Sequence, residues 1–155
     1  MSSLLARSFP RGLSSTLRHR TAVSSHRWAS VLVVSDPLDA SGTLPVAAQS
    51  AVTAALQWLA AKGDATSECV LLTTGGTTPP AAVPAGVTHT LHATTTQPLV
   101  VETAAAAIQQ AVADVSPDII MGTATKWGSS VIPRAAALLT TSPLSDVTQI
   151  VDDSE

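Results

Sequence analysis

The chain has one cysteine, no tyrosine and a single phenylalanine. With Cys69 alone, no internal disulfide can form, so nothing in the sequence signals an oxidising compartment. No histidine or basic residue stands near Cys69 in sequence, so it reads as a buried structural thiol rather than a nucleophile. The scarcity of aromatic rings leaves Val, Leu, Ile and Ala to fill the core. Charge is scarce too: 12% of residues are Asp, Glu, Lys or Arg, about half the usual share. From residue 28 on, only Lys62, Lys126 and Arg134 stand against eleven acids. Such a body lacks the basic footprint of a nucleic-acid binder. No run of about 18 apolar residues occurs, so no helical membrane span is expected. No Cys cluster, His-Glu-x-x-His pair or Gly-x-Ser-x-Gly elbow is present, which removes the simplest signatures of metal and nucleophilic catalysis.

The basic residues that the body lacks are gathered at the start. Arg7, Arg11, Arg18, Arg20 and Arg27 lie within residues 1–29, and no acid precedes Asp36. Leu4, Leu5, Phe9, Leu13 and Leu17 recur at spacings a helix would gather on one side, with Arg and Ser between. This is the composition of a mitochondrial transit peptide, with a disordered basic tail or a chloroplast transit peptide as the alternatives. A secretory signal needs an unbroken apolar stretch of about 7–15 residues, and none is found here. Residues 1–29 are therefore expected to be an address, with one domain in 30–155.

The body alternates short apolar runs with helix-periodic stretches. A strand is expected at 31–34 and a second at 68–73, both continuous enough to be buried on two faces. Between them, Ala48, Val52, Ala55, Leu56 and Leu59 recur at helical spacing over 46–61, with Pro45 at the start and Gly63 at the end. Gly75-Gly76 and Pro79-Pro80 demand a loop. A third strand is expected at 87–92. A helix opens at Gln97-Pro98 with Val101, Ala105, Ile108 and Val112 on one face, and Ser116-Pro117 stops it. A fourth strand follows at 119–121. Next comes a helix capped by Ser129 or Ser130, with Pro133 in its first turn, running to Leu139. A fifth strand is expected to begin at 147–151. Strands joined by helical crossovers make a three-layer, Rossmann-like α/β domain with a mostly parallel sheet. Ligands on such sheets lie beyond the carboxyl ends of the strands, here Asp36, the Gly75-Gly76 loop and the Gly122–Gly128 turn.

Few residues in the body carry chemistry. Amides of the turn between Gly122 and Gly128, with Ser129 and Ser130 beside them, could hold an anion, but the turn matches neither a Walker loop nor a Gly-x-Gly-x-x-Gly fingerprint. A structural or interface turn is the stronger reading. Leu72-Thr-Thr-Gly-Gly-Thr77 is similar to the phosphate-gripping loop of molybdopterin-binding proteins, yet no charged residue follows it. A strand exit rich in glycine explains it better. His89 and His92, three apart on a strand, fall on opposite faces and cannot share a metal. Arg134, just after Pro133 on a helix, is either a solvated surface residue or the partner of Asp146 or of an acid on a second protein.

The most informative stretch runs from Asp118 to Val147, with Gly122 and Gly128 in its turn, Pro133-Arg134 in its helix and Ser145-Asp146-Val147 after it. It resembles the N-terminal domain of the electron-transfer flavoprotein alpha subunit, which has a Gly in this turn, a Pro-Arg pair in the helix and a Ser-Asp-Val-like entry to the next strand. That resemblance implies an electron-carrier subunit rather than an enzyme. It implies a heterodimer with the beta subunit in the mitochondrial matrix, taking electrons from acyl-CoA and related dehydrogenases of fatty-acid β-oxidation and passing them to a membrane quinone oxidoreductase. It also implies that FAD belongs mainly to a C-terminal domain not contained in 30–155, so no FAD ligand falls on these residues. The span is then a domain cut near its C-terminal end, with no flavin or activity of its own expected. Gly122, Gly128, Pro133, Arg134 and Asp146 become structural or interface candidates. Two other classes remain: a stand-alone adenine-nucleotide-binding domain of the universal-stress type, and a small matrix enzyme with a molybdopterin-like loop.

Overall fold

The computed structural model describes residues 30–39, 41–63, 67–95 and 99–150. The expected transit segment, Gln97-Pro98 and Val151 lie outside them. Four strands, β1 (Ser30–Val34), β2 (Glu68–Thr74), β3 (His89–Ala93) and β4 (Ile119–Gly122), form one sheet in the order β3-β2-β1-β4. Every pairing is parallel. Helices α1 (Val46–Lys62), α2 (Val101–Val115) and α3 (Lys126–Leu138) cover it. The Rossmann-like three-layer α/β expectation is borne out.

The layers follow from strand periodicity. In β1 and β2, alternate side chains point to opposite faces, and both faces are apolar. Val31, Val33, Cys69 and Leu71 pack with Ala48, Val52, Ala55 and Leu59 of α1. Leu32, Val34, Val70 and Leu72 pack on the other face with Ala104, Ala105, Ile108 and Ala111 of α2 and Val131 and Ala135 of α3. Each fully buried Val or Leu contributes about 1.5–3 kcal/mol of transfer free energy. The alanines let α2 and α3 lie close together, with Trp127 packed against the same cluster. α1 ends at Gly63, whose φ of +67° lets its N–H reach the Ala60 carbonyl. At the amino edge, Asp118 clamps β4 to β1: its carboxylate accepts from the Ser30 N–H, and its own N–H donates to the Ser30 carbonyl, both at 3.0 Å.

Four boundaries differ from the expected ones. α2 begins at Val101, after an extended Val100, rather than at Gln97-Pro98. β3 begins at His89 rather than Val87. Thr88 Oγ1 accepts from the Cys69 N–H and donates to the Cys69 carbonyl, so a side chain takes over the ladder there. Val87 turns back to the Pro84 carbonyl. β2 and β3 are joined through residues 75–88 without a helix, and this loop packs against the α1 face, where Val87 joins the core and Gly86 abuts Leu56.

The helix after β4 starts a full turn earlier than expected, so Pro133 lies in its interior. The expected fifth strand is not formed across its described part: residues 141–150 are neither helix nor strand. Asp146 has φ +57°, outside the extended range, and Leu144 and Val147 are 86% and 64% exposed. A strand needs a partner ladder for its N–H and C=O groups, and the free edge of β4 carries none among the described residues.

Candidate functional site at the carboxyl edge of the sheet

The chain moves from β1 outward to β2 and β3, then returns to place β4 on the other side of β1. The reversal lies between β1 and β4, where an open α/β sheet leaves its ligand crevice. Register sets Val34 beside Gly122, so the segments leaving these two strands meet at that point. One carries Asp36. The other carries Thr123 and Thr125.

The Asp36 carboxylate closes the gap. Its Oδ1 accepts from Thr123 Oγ1 and from Thr125 Oγ1, each at 2.7 Å. Thr125 is the N-cap of α3, and its hydroxyl oxygen accepts from the Gly128 N–H at 3.0 Å. One hydroxyl thus links a helix amide to a carboxylate. The N-cap stabilises the helix by about 1 kcal/mol. A negative charge at the positive end of the helix dipole adds about 0.3–1 kcal/mol. Asp36 therefore takes the place an anion would seek at this turn, and a second negative group would meet repulsion instead of an open helix end.

The two glycines of the turn are fixed by close approach. A Cβ on Gly122 would run into the Ile132 side chain. A Cβ on Gly128 would run into the backbone carbonyl oxygen of Thr123, which cannot rotate away. These contacts let α3 start immediately above β4. Ser129 and Ser130, expected as caps, instead turn their hydroxyls back to the Lys126 carbonyl. Pro133 lacks the N–H that would bond four residues back, a cost accepted on the exposed side of α3.

Gly122 and Gly128 thus share one packed turn, while the other three candidates stay apart from it. Arg134 is exposed and forms no ion pair among the described residues; Asp146 is exposed and equally unpaired. The expected Arg134–Asp146 pair is not made. Sequence reasoning missed Thr123 and Thr125. The available signal was Thr125 itself, three residues before Gly128, at good N-cap spacing.

The Gly75-Gly76 turn has φ values of +92° and +72°. It leans on the loop after β1: the Leu38 N–H donates to the Thr74 carbonyl, and a Cβ on Gly75 would stand 3.3 Å from Pro37 Cβ. Thr73 and Thr74 are fully buried, and Thr74 Oγ1 has no hydrogen-bond partner. His89 and His92 do point to opposite faces. His89 Nε2 lies 3.8 Å from Glu68 Oε1, and His92 Nδ1 lies 2.9 Å from Thr73 Oγ1. Among the described residues no three His, Cys, Asp or Glu side chains converge on a metal-sized site. No described helix is long and apolar enough to cross a membrane. Cys69 is buried, and that burial pushes its thiol above the ordinary range, as an unreactive structural cysteine requires.

Residues at this edge do not fit a dinucleotide diphosphate. The helix end is taken by a carboxylate, Gly128 leaves no gap beside Thr123, and Arg134 is not at the turn. A comparison with curated proteins finds no match. The sequence model of the electron transfer flavoprotein domain matches residues 31–155, nearly the whole of the body described above. The chain belongs to the electron transfer flavoprotein domain family.

Proposed function

We propose that this chain is the N-terminal part of an electron-transfer flavoprotein alpha subunit, acting as a scaffold and interaction domain beside a flavin site that it does not itself form. The match over residues 31–155 carries the reading. The choice of alpha over beta rests on Gly128, Pro133-Arg134 and Ser145-Asp146-Val147, the pattern in which the chain resembles alpha subunits. The partner is then the beta subunit. FAD, held mainly by a C-terminal domain, supplies the one- and two-electron chemistry of the complete heterodimer. Electrons arrive from acyl-CoA and related dehydrogenases and leave to a membrane quinone oxidoreductase. The arginine-rich, acid-free residues 1–29 support a mitochondrial matrix location.

The stand-alone adenine-nucleotide domain weighed from sequence gains no support, because Asp36 occupies the helix end where a phosphate would bind. Arg134 is the natural probe of the partner surface, being an exposed base without an ion-pair partner among the described residues of an acidic body. Co-expression with a beta subunit should give a stable complex, and Arg134→Ala should weaken association without lowering thermal stability. Unchanged association would remove Arg134 from the interface. Failure of the intact chain to bind any beta subunit would sink the assignment.

A further inference from the structure

We propose that His92 is a pH-operated latch that holds the edge strand β3 to β2 and to the Gly75-Gly76 turn, closed while the ring is neutral and released when it takes up a proton. Among the described residues β3 is paired on one side only, and three of its five residues are polar. The latch sits where that strand ends. Thr73, fully buried in β2, is the register partner of His92. Its hydroxyl lies 3.2 Å from the Leu91 carbonyl and 2.9 Å from His92 Nδ1, so one side chain gathers two consecutive β3 residues. Just beyond, the Thr95 N–H donates to the Gly76 carbonyl at 3.3 Å, closing the turn onto the end of β3.

The chemistry of the ring makes this seat selective for the neutral form. Thr73 has one proton. If it goes to Nδ1, Nε2 carries the ring hydrogen; if it goes to Leu91, Nδ1 donates to the hydroxyl and Nε2 keeps a lone pair. Nδ1 is satisfied in either charge state, so the selectivity lies at Nε2, which is sealed from solvent without a hydrogen-bond partner among the described residues. Adding a proton places a full charge against that sealed atom. Burial accordingly lowers the proton affinity of the ring below its ordinary range, and the nearby Gly76 carbonyl offsets only part of this.

Among the described residues, no neighbouring charge compensates. The face of β2 that carries Thr73 bears one other ionisable group, Cys69, at the start of the strand. α1 carries only Lys62, which leads into the beginning of β2 rather than its end. The loop 75–88 has no ionisable residue. Asp36 and Asp39 lie in the segment that Gly75 touches, but Asp36 is bonded to Thr123 and Thr125, and Asp39 accepts from Ser41 and Thr43. Glu68 and His89 belong to the opposite face. The sign follows: a ring harder to protonate when closed than when free favours closure above the free imidazole range and loses it as pH falls through and below that range.

The experiment is amide-exchange protection by NMR on the folded chain, at about pH 7.5 and about pH 5.5, either side of the free imidazole value near 6.5. Protection at residues 89–93 should drop several-fold at the lower pH, while residues 31–34 keep theirs. The difference should vanish in His92→Gln, and the His92 ring of the wild type should titrate below free imidazole. Equal wild-type protection at both pH values, the same loss in the variant, or a ring titrating at or above the free value would overturn the latch. If the variant does not fold, the wild-type titration and protection decide the matter alone.

Discussion

Replacing Gly128 by alanine sets two effects of opposite sign against each other. A helical glycine in open surroundings gains about 1 kcal/mol when it becomes alanine, because the unfolded chain loses freedom and the helix gains a better former. Gly128 is not in the open. Its added Cβ would overlap the Thr123 carbonyl oxygen and approach Thr123 Oγ1 to 2.9 Å. The carbonyl is backbone at the exit of β4, so relief requires the first turn of α3 to lift. Lifting that turn stretches the Gly128 N–H bond to Thr125 Oγ1 and the two hydroxyl bonds to Asp36. The steric term is about 1–3 kcal/mol, and the weakened cap with its carboxylate costs roughly 1–2 kcal/mol more.

The steric and capping losses exceed the propensity gain, leaving a net destabilisation of about 2 kcal/mol. For a domain of this size that lowers Tm by roughly 6–12 °C. Thermal unfolding followed by far-UV circular dichroism measures it, with Gly122→Ala as the comparison. The Gly122 clash is with an Ile132 side chain, which can change rotamer, so about 1 kcal/mol is expected there. A Gly128→Ala protein as stable as the wild type, or milder in effect than Gly122→Ala, would show that α3 does not sit on Thr123 as described.

Asp36→Asn keeps an oxygen for the two threonines and removes the charge, and should cost about 1 kcal/mol in urea unfolding, whereas Asp36→Ala, which leaves both hydroxyls unmatched, should cost about 2–4 kcal/mol; equal losses would mean that the charge is irrelevant at the end of α3. Pro133→Ala restores an N–H in the interior of α3 and should raise Tm by a few degrees, corresponding to about 1–2 kcal/mol after the entropy released in the unfolded chain. A fall in Tm would show that the ring packs against something the exposed face of the helix does not reveal.

The fold was legible because its signals are local. Ala48, Val52, Ala55 and Leu59 face the sheet as their spacing requires, and the runs in β1 and β2 are apolar on both faces because both are covered. Gly63 ends α1 where expected. The errors have physical causes of the same local kind. Proline favours a first turn, so the sequence pattern puts Pro133 near a helix start and the cap at Ser129 or Ser130 rather than at Thr125. Thr88 imitates a strand pair with its side chain, so the ladder begins two residues later than the apolar pattern suggests.

The site is a different problem, because its central interaction joins residues 87 and 89 positions apart. No spacing rule connects Asp36 to Thr123 and Thr125. Only the sheet order does, by returning β4 to the side of β1. Once that order is known, the chemistry of the edge follows from the residue types: two hydroxyls converge on one carboxylate, and one of those hydroxyls receives the helix amide. A domain that fills its own switch point in this way has stabilised α3 at the expense of an anion site. This is the physical reason to look for its function on the outer face of that helix, where Arg134 is exposed, rather than in the crevice where related sheets bind ligands.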